Sequence, residues 1–475
     1  MARGGMWIFV TRAVSEGLRF ARLLVLARLL APNDFGLMGI ALLVIASLQS
    51  FTQSGFRQAL IQKQGNINEY LDTAWTVSGL RGLVLCVSLV ALSPYVAGFF
   101  NEPAATPIVR VVALSLCFMG WSNIGTMYFD KELEFNKQFI FEVGGAVVDL
   151  IVAITAVLIL GSVWALVFGL LAGTLTRFIL SYILHPYRPH LRFDKTKAKE
   201  LFSFGQWIWA SSIILFLLTQ GDDIVVGKLL AASALGLYQM AYRISNLPAT
   251  EITRVITQVT FPAYSKLQDN LPKLQEAYLK TLRLTAFVVF PVAGGIFVIA
   301  PEFTEAFLGS KWMPMVPAIQ MLTLFGLIRS LSGTVGPLFQ GLAKVRFRAA
   351  IQFAQLCIMA ALIYPLTKAF GILGASIAVT IPPFVLMWIG WRECAVSLKL
   401  SLVSIIRVWL APLIISAIMV GILIPVRLAL LDGNEPIIRF IILVPLGVLI
   451  YGVLAYLFQA DSVKLLKSTF RTVFI

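Results

Sequence analysis

The chain has 475 residues, of which 59% are hydrophobic and 13% charged, with a mean hydropathy of +0.88 and a net charge of +15. A soluble domain carries about 45–50% apolar and about 25% charged residues, so this composition excludes a soluble globular protein. The positive charge does not point to nucleic acid, because Lys and Arg stand singly inside apolar segments or between them, with no aromatic-interleaved basic face.

Apolar segments of roughly 20 residues separated by short polar breaks favour a helical bundle over a β-barrel, whose strands run about 10 residues. The expected fold is therefore an all-α polytopic membrane protein. Hydropathy predicts about fourteen transmembrane helices. They fall near 5–30, 35–57, 74–99, 106–129, 139–160, 162–184, 200–229, 234–262, 279–300, 313–341, 347–368, 371–391, 402–427 and 437–459.

The first of these carries Arg12, Glu16, Arg19, Arg22 and Arg28. At 100° per residue Arg12, Ser15, Glu16, Arg19 and Arg22 share roughly a third of the helix circumference, so the charges form a stripe. Facing lipid, four such groups would cost on the order of 10 kcal/mol. The stripe is expected to face an aqueous cavity. The same charges interrupt any signal-peptide core, so this segment is expected to persist as the first span.

Alternate loops carry Lys131 and Lys137, Arg188 to Lys199, Lys266 to Lys280, and Lys344 to Arg348, whereas the opposite set holds only Arg28, Lys228, Lys311, Lys368 and Arg427, at segment ends. The positive-inside bias then places both termini in the cytoplasm. Sliding the chain by 200 positions aligns Gly5-Met-Trp7-Ile8 with Gly205-Gln-Trp207-Ile208. It also aligns Arg28-Leu-Leu-Ala31 and Gly36-Leu37 with Lys228-Leu-Leu-Ala231 and Gly236-Leu237. Later, Gly161-x-x-x-Ala165 matches Gly371-x-x-x-Ala375. Such a repeat predicts two pseudo-symmetric six-helix lobes around a central cavity plus two extra C-terminal helices. The expected organisation is an N-lobe over 1–184, a cytoplasmic linker over 185–199, a C-lobe over 200–400, and the last two helices with a tail over 401–475.

The repeats diverge at polar positions. Arg19, Arg22 and Leu23 correspond to Thr219, Asp222 and Asp223. Candidate cavity residues are Arg12, Glu16, Arg19, Arg22, Asp222, Asp223, Arg243 and Arg254, with Glu142 and Asp149 as counter-ions or coupling carboxylates. Guanidinium forks suit phosphate or pyrophosphate, which points to an anionic cargo. Arg81, Arg110, Arg177, Arg283 and Arg329 lie near span ends, where snorkelling accounts for them. Cys86, Cys117, Cys357 and Cys394 lack metal or redox spacing, and His185 and His190 flank a proline-rich loop. No catalytic constellation, metal or cofactor is expected, apart from coupling to an H⁺ or Na⁺ gradient.

The stretches LARLLAPNDFGLMGIA from Leu26, SGFRQALIQK from Ser54, KELEFNK from Lys131, ITRVITQVTFPAYSKLQDN from Ile252 and GSKW from Gly309 carry a resemblance. Together they resemble the polysaccharide transporter branch of the multidrug/oligosaccharidyl-lipid/polysaccharide exporter superfamily, in particular its colanic-acid-exporter type of flippase. The resemblance covers about the first 400 residues. It implies a bacterial inner-membrane flippase for undecaprenyl-pyrophosphate-linked oligosaccharide, working by alternating access beside a polymerase and chain-length or export proteins. A lipid II flippase and a cation-coupled multidrug exporter share that architecture and stand as alternatives. The arginine stripe argues against the multidrug exporter, whose cationic or neutral cargo would call for a carboxylate-dominated cavity.

Overall fold

The computed structural model describes residues 2–53, 55–62, 67–342, 344–430, 433–460, 462 and 464. Backbone alone is described at 2–6, 8, 57–58, 62, 203–208, 210–211, 247, 252, 254–255, 257–259, 261–262, 345 and 430. Among the described residues the chain is helical, with no strand. Nine of the described helices are long and apolar enough to cross a membrane, or ten when one bent pair counts as a span. The chain is thus an all-α, multi-pass membrane protein. It divides into two compact units, Met1–Gly236 and Leu237–Ile475.

The first unit opens with α1 (Ala2–Leu29), α2 (Pro32–Phe51), the short α3 (Phe56–Gln62) and α4 (Asn68–Phe100). α1 is 28 residues long, about 42 Å at 1.5 Å per residue. Its charges keep it outside the nine apolar spans. The segment expected at 106–129 is broken into α5 (Ala105–Val112), α6 (Leu114–Gly120) and α7 (Met127–Lys131), bent by 71°. Asn123 makes the break, because its side chain accepts from Gly125 N at 2.9 Å and donates to Tyr187 O at 2.7 Å, giving the turn partners a continuing helix would not need. α8 (Phe135–Leu160) and α9 (Trp164–Leu184) pack against each other and, through α8, against α1.

The basic stretch after α9 is pinned to α4. Tyr187 donates its hydroxyl to Asp72, and the main-chain N–H groups of His190, Arg192 and Asp194 donate to Asp72, Thr76 and Thr73 at 3.0–3.3 Å. α10 (Lys195–Leu267) follows and is broken at Ala231, with φ 71° and ψ 172°.

That break takes part in a crossing. A methyl group added at Gly36 would stand 1.7 Å from the carbonyl oxygen of Ala232, and one added at Gly236 would stand 2.0 Å from the carbonyl oxygen of Pro32. Positions 32 and 36 are the repeat partners of 232 and 236, so the contact is reciprocal, as at an isologous interface. Only glycine admits so close a backbone approach. The two connections are capped differently. Asp34 accepts from Ala31 N at 3.0 Å and from Val163 N at 3.2 Å, whereas Ala232 N donates to Glu102 Oε1 at 2.8 Å.

The second unit contains α11 (Leu271–Phe303), α12 (Val316–Ser332), α13 (Val335–Gly341) and α14 (Val345–Ser397), followed by α15 (Leu402–Pro425) and α16 (Pro436–Phe458). α14 breaks at Gly371, φ 59°, and its repeat partner Gly161 ends α8 at φ 56°. Tyr264, Tyr278, Leu282, Phe339 and Trp391 centre one buried cluster. The two last helices belong to this unit. Ile415, Met419, Leu423 and Leu443 pack with Phe287 and Val298 of α11, and Tyr451 donates to Phe287 O at 2.7 Å. Arg427 pairs with Glu302, a carboxylate only 2% exposed.

Two predictions follow from the crossing. Gly36→Ala or Gly236→Ala should destabilise the purified protein by about 1–3 kcal/mol or more through overpacking. Gly17→Ala, where nothing lies within 4 Å, should leave the thermal midpoint level or slightly raised. Equal midpoints for Gly36→Ala and Gly17→Ala would sink the crossing. Ala231→Gly should raise stability by about 1–3 kcal/mol, because Ala231 holds a backbone conformation populated almost only by glycine. A denaturation midpoint that does not rise would contradict this.

Candidate functional site

The charged face of α1 meets α8 and α9 inside the first unit. On α8, Gly145, Asp149 and Ala153 repeat every four residues, and on α9 so do Gly169, Gly173 and Arg177. Both rows therefore face one way on their helices. Methyl groups at Gly169 and Gly173 would stand 2.6 Å from Asp149 Oδ1 and 2.8 Å from its Cβ. The small residues let the helices close around the carboxylate, which is the small-x-x-x-small packing used within membranes.

Arg22 reaches this carboxylate. Its Nε lies 3.2 Å from Asp149 Oδ1, with the two side chains 20% and 14% exposed. Its Nη2 donates to Leu166 O at 3.4 Å. The Nε to Oδ1 contact is ionic and not an aligned hydrogen bond, since neither atom has a hydrogen-bond partner. Arg19, about one turn earlier, pairs with Glu16 at 2.7 Å and approaches Glu142 at 4.0 Å. These three side chains are about 40% exposed. Arg12, two turns before Arg19, is exposed, with no ion pair among the described residues. The stripe thus grades from an open end at Arg12, through a half-open pair, to a closed end at Arg22 and Asp149.

Arg177 joins the group. Its side chain lies over Gly145, where an added methyl would stand 2.6 Å from it. It is close enough to interact electrostatically with Glu142, Asp149 and Arg19. Sequence reasoning assigned Arg177 to snorkelling, yet the four-residue ladder Gly169, Gly173, Arg177 carried the signal. The face therefore holds four guanidinium groups, Arg12, Arg19, Arg22 and Arg177, against three carboxylates, Glu16, Glu142 and Asp149. The surplus cation sits at the exposed end.

The remaining candidates lie elsewhere along the chain. Asp222 and Asp223 are buried in the first unit, in the part of α10 before its break. Thr219, one turn earlier, donates to Leu215 O at 2.8 Å. Arg243 is exposed and belongs to the second unit. The side chain of Arg254 lies outside the described residues. No group of His, Cys, Asp and Glu among the described residues could hold a metal. The open end of the stripe can bind an anion by charge-assisted hydrogen bonds from Arg12 and Arg19, while Arg22 is already committed.

Asp149→Ala should cost about 3–5 kcal/mol by leaving Arg22 buried without its counter-charge. Replacing both partners with apolar residues, Arg22→Met with Asp149→Leu, should recover most of that loss. Thermal unfolding of the purified protein in detergent reads both variants, and a double variant as unstable as the single one would show that the pair is not the source.

Three comparisons bear on the chain. Residues 25–317, more than half of its length, match the family described as polysaccharide biosynthesis protein. The chain is 28% identical over 348 residues to the lipopolysaccharide biosynthesis protein WzxC of Escherichia coli (strain K12), covering 72% of this chain and 70% of that one. It is 29% identical over 297 residues to the teichuronic acid biosynthesis protein TuaB of Bacillus subtilis (strain 168), covering 62% of this chain and 60% of that one. In fold it is similar to the lipid II flippase MurJ in an inward closed conformation, with a TM-score of 0.76 at 15% identity, over 98% of this chain and 100% of that one. The match over residues 25–317 shows that the chain belongs to the polysaccharide biosynthesis protein family.

Proposed function

We propose that the protein moves a polyprenyl-pyrophosphate-linked oligosaccharide across the bacterial inner membrane, for the synthesis of a surface or secreted polysaccharide. The observation that carries this reading is the open end of the α1 stripe, where Arg12 is exposed and Arg19 half-exposed within a multi-pass membrane protein. An ionised side chain facing lipid at mid-membrane costs about 2.5–3.5 kcal/mol, so these groups face water or a cargo. A cation surplus at that end selects an anion, and planar guanidinium groups fit the oxygens of a pyrophosphate bidentately. The relatives' named roles in lipopolysaccharide and teichuronic acid biosynthesis support a glycan as the rest of the cargo.

In this mechanism the pyrophosphate displaces Glu16 and Glu142 from Arg19 and bridges Arg19 to Arg12. The polyprenyl tail stays in lipid. Arg22 and Asp149 hold α1 against α8 and α9 while exposure of the site alternates between the two sides of the membrane. Coupling to an H⁺ or Na⁺ gradient, where it operates, passes through Glu142, which is half-exposed and weakly held, because Asp149 is committed to Arg22. Both termini lie in the cytoplasm, as the loop charges favour. The glycan then passes to a polymerase and to chain-length or export proteins, and the protein itself performs no chemistry on it.

Arg12→Ala with Arg19→Ala should reduce surface glycan about tenfold or more and leave lipid-linked oligosaccharide trapped in the inner leaflet, at unchanged membrane levels of the protein. Arg110→Ala, which removes a guanidinium bonded to Ser93 at 2.9 Å outside the stripe, should export normally. Full export by the double variant would remove the stripe from the mechanism.

A further inference from the structure

The second unit holds a pocket of about 270 Å³ between α12, α13 and both halves of α14. That is just under the roughly 300 Å³ at which pockets for drug-sized ligands begin, so it fits one ring and not a whole oligosaccharide. Its one charged lining residue is Arg348. The side chain is half-buried, its guanidinium lies over Gly336, and it has no ion pair among the described residues. Arg348 also stands in the first turn of α14, where the helix dipole disfavours a cation. A guanidinium kept there without a carboxylate awaits an anion.

Of the other polar lining groups, Thr253 is bonded to Ser330 and four are unspent. The amides of Gln340, Gln352 and Gln355 have no hydrogen-bond partner among the described residues, and the buried hydroxyl oxygen of Ser332 has none either. Phe339, Leu386 and Met387 supply apolar lining. One positive charge calls for one negative charge, where a pyrophosphate would call for more. Amides and a hydroxyl suit neighbouring ligand hydroxyls, and the apolar lining suits the C–H face of a ring.

We infer that this pocket is a subsite for one singly charged, hydroxyl-bearing group of ring size: a carboxylated sugar of the cargo. The inference rests on the proposed oligosaccharide cargo. A phosphatidylglycerol headgroup has the same single charge and hydroxyl chemistry, so the test separates the two sources.

Full-length protein in phosphatidylcholine nanodiscs is titrated with D-glucuronate and with D-glucose, following tryptophan fluorescence. A second set of nanodiscs includes phosphatidylglycerol. Glucuronate should bind about tenfold or more tightly than glucose, the cost of leaving a charged hydrogen-bonding group unmatched. Arg348→Gln should erase the difference, Arg348→Lys should keep part of it, and phosphatidylglycerol should leave the glucuronate midpoint unchanged. Equal binding of the two sugars, or a preference that survives in Arg348→Gln, overturns the subsite. A glucuronate midpoint that rises with phosphatidylglycerol assigns the pocket to lipid and also overturns it. Because this binding is read without transport, its failure leaves the export result for Arg12 and Arg19 standing, and full export by that double variant leaves Arg348-dependent glucuronate binding standing.

Discussion

The constraint on which the first unit depends is the absence of side chains at Gly36 and Gly236. Each lets a main-chain carbonyl from the partner repeat, Ala232 or Pro32, come closer than any Cβ would permit. A contact built from backbone alone has little freedom to slide, because interiors are close-packed and shift between discrete arrangements. It also lies where the first compact unit ends, since the second begins at Leu237. The repeat-related crossing holds the two connections of the first unit together, and the strained backbone at Ala231 lies beside it.

Electrostatics then explains why α1 is tolerated in a membrane protein although its charges keep it out of the apolar spans. The cost of each charge depends on its surroundings, and the chain grades those surroundings along one face. At the closed end, Gly169 and Gly173 bring α9 close enough to sheath Asp149, and Arg22 supplies the counter-charge. Burying the pair is close to neutral when both partners are present and expensive when one is missing. At the open end the charges retain exposure, so little is lost when they exchange one anion for another. The same stripe therefore anchors the helix at one end and leaves exposed, loosely held charge at the other.

Much of this was legible in the sequence, for physical reasons. Hydropathy finds helices because lipid leaves the backbone no other solution. The 200-residue offset found Gly36 and Gly236 because a backbone contact tolerates no substitution in either copy. What escaped depends on which face of a helix meets a neighbour. Arg177 looked like a snorkelling residue until α9 placed it over Gly145. The strap from Tyr187 to Asp194 read only as part of a basic linker, and its anchors Asp72, Thr73 and Thr76 are isolated polar residues that hydropathy averages away. The last two helices had no repeat partner, and it is their packing on α11, at Phe287 and Val298 among other residues, that shows what they cover.

Comparing repeat partners separates architecture from chemistry. Gly161 and Gly371 both hold a positive φ that favours glycine, and Ala165 and Ala375, four residues on, are both fully buried. The caps differ. Asp34 serves its own helix, whereas position 234 is Ala and the N–H of Ala232 takes its acceptor from Glu102. The charges differ further, since Arg22 corresponds to Asp222. Duplication thus preserves what backbone geometry requires and frees whatever a different side chain can supply. Under that rule the polar positions are where the two halves are free to diverge, and an arginine-rich stripe in one unit requires no matching stripe in the other.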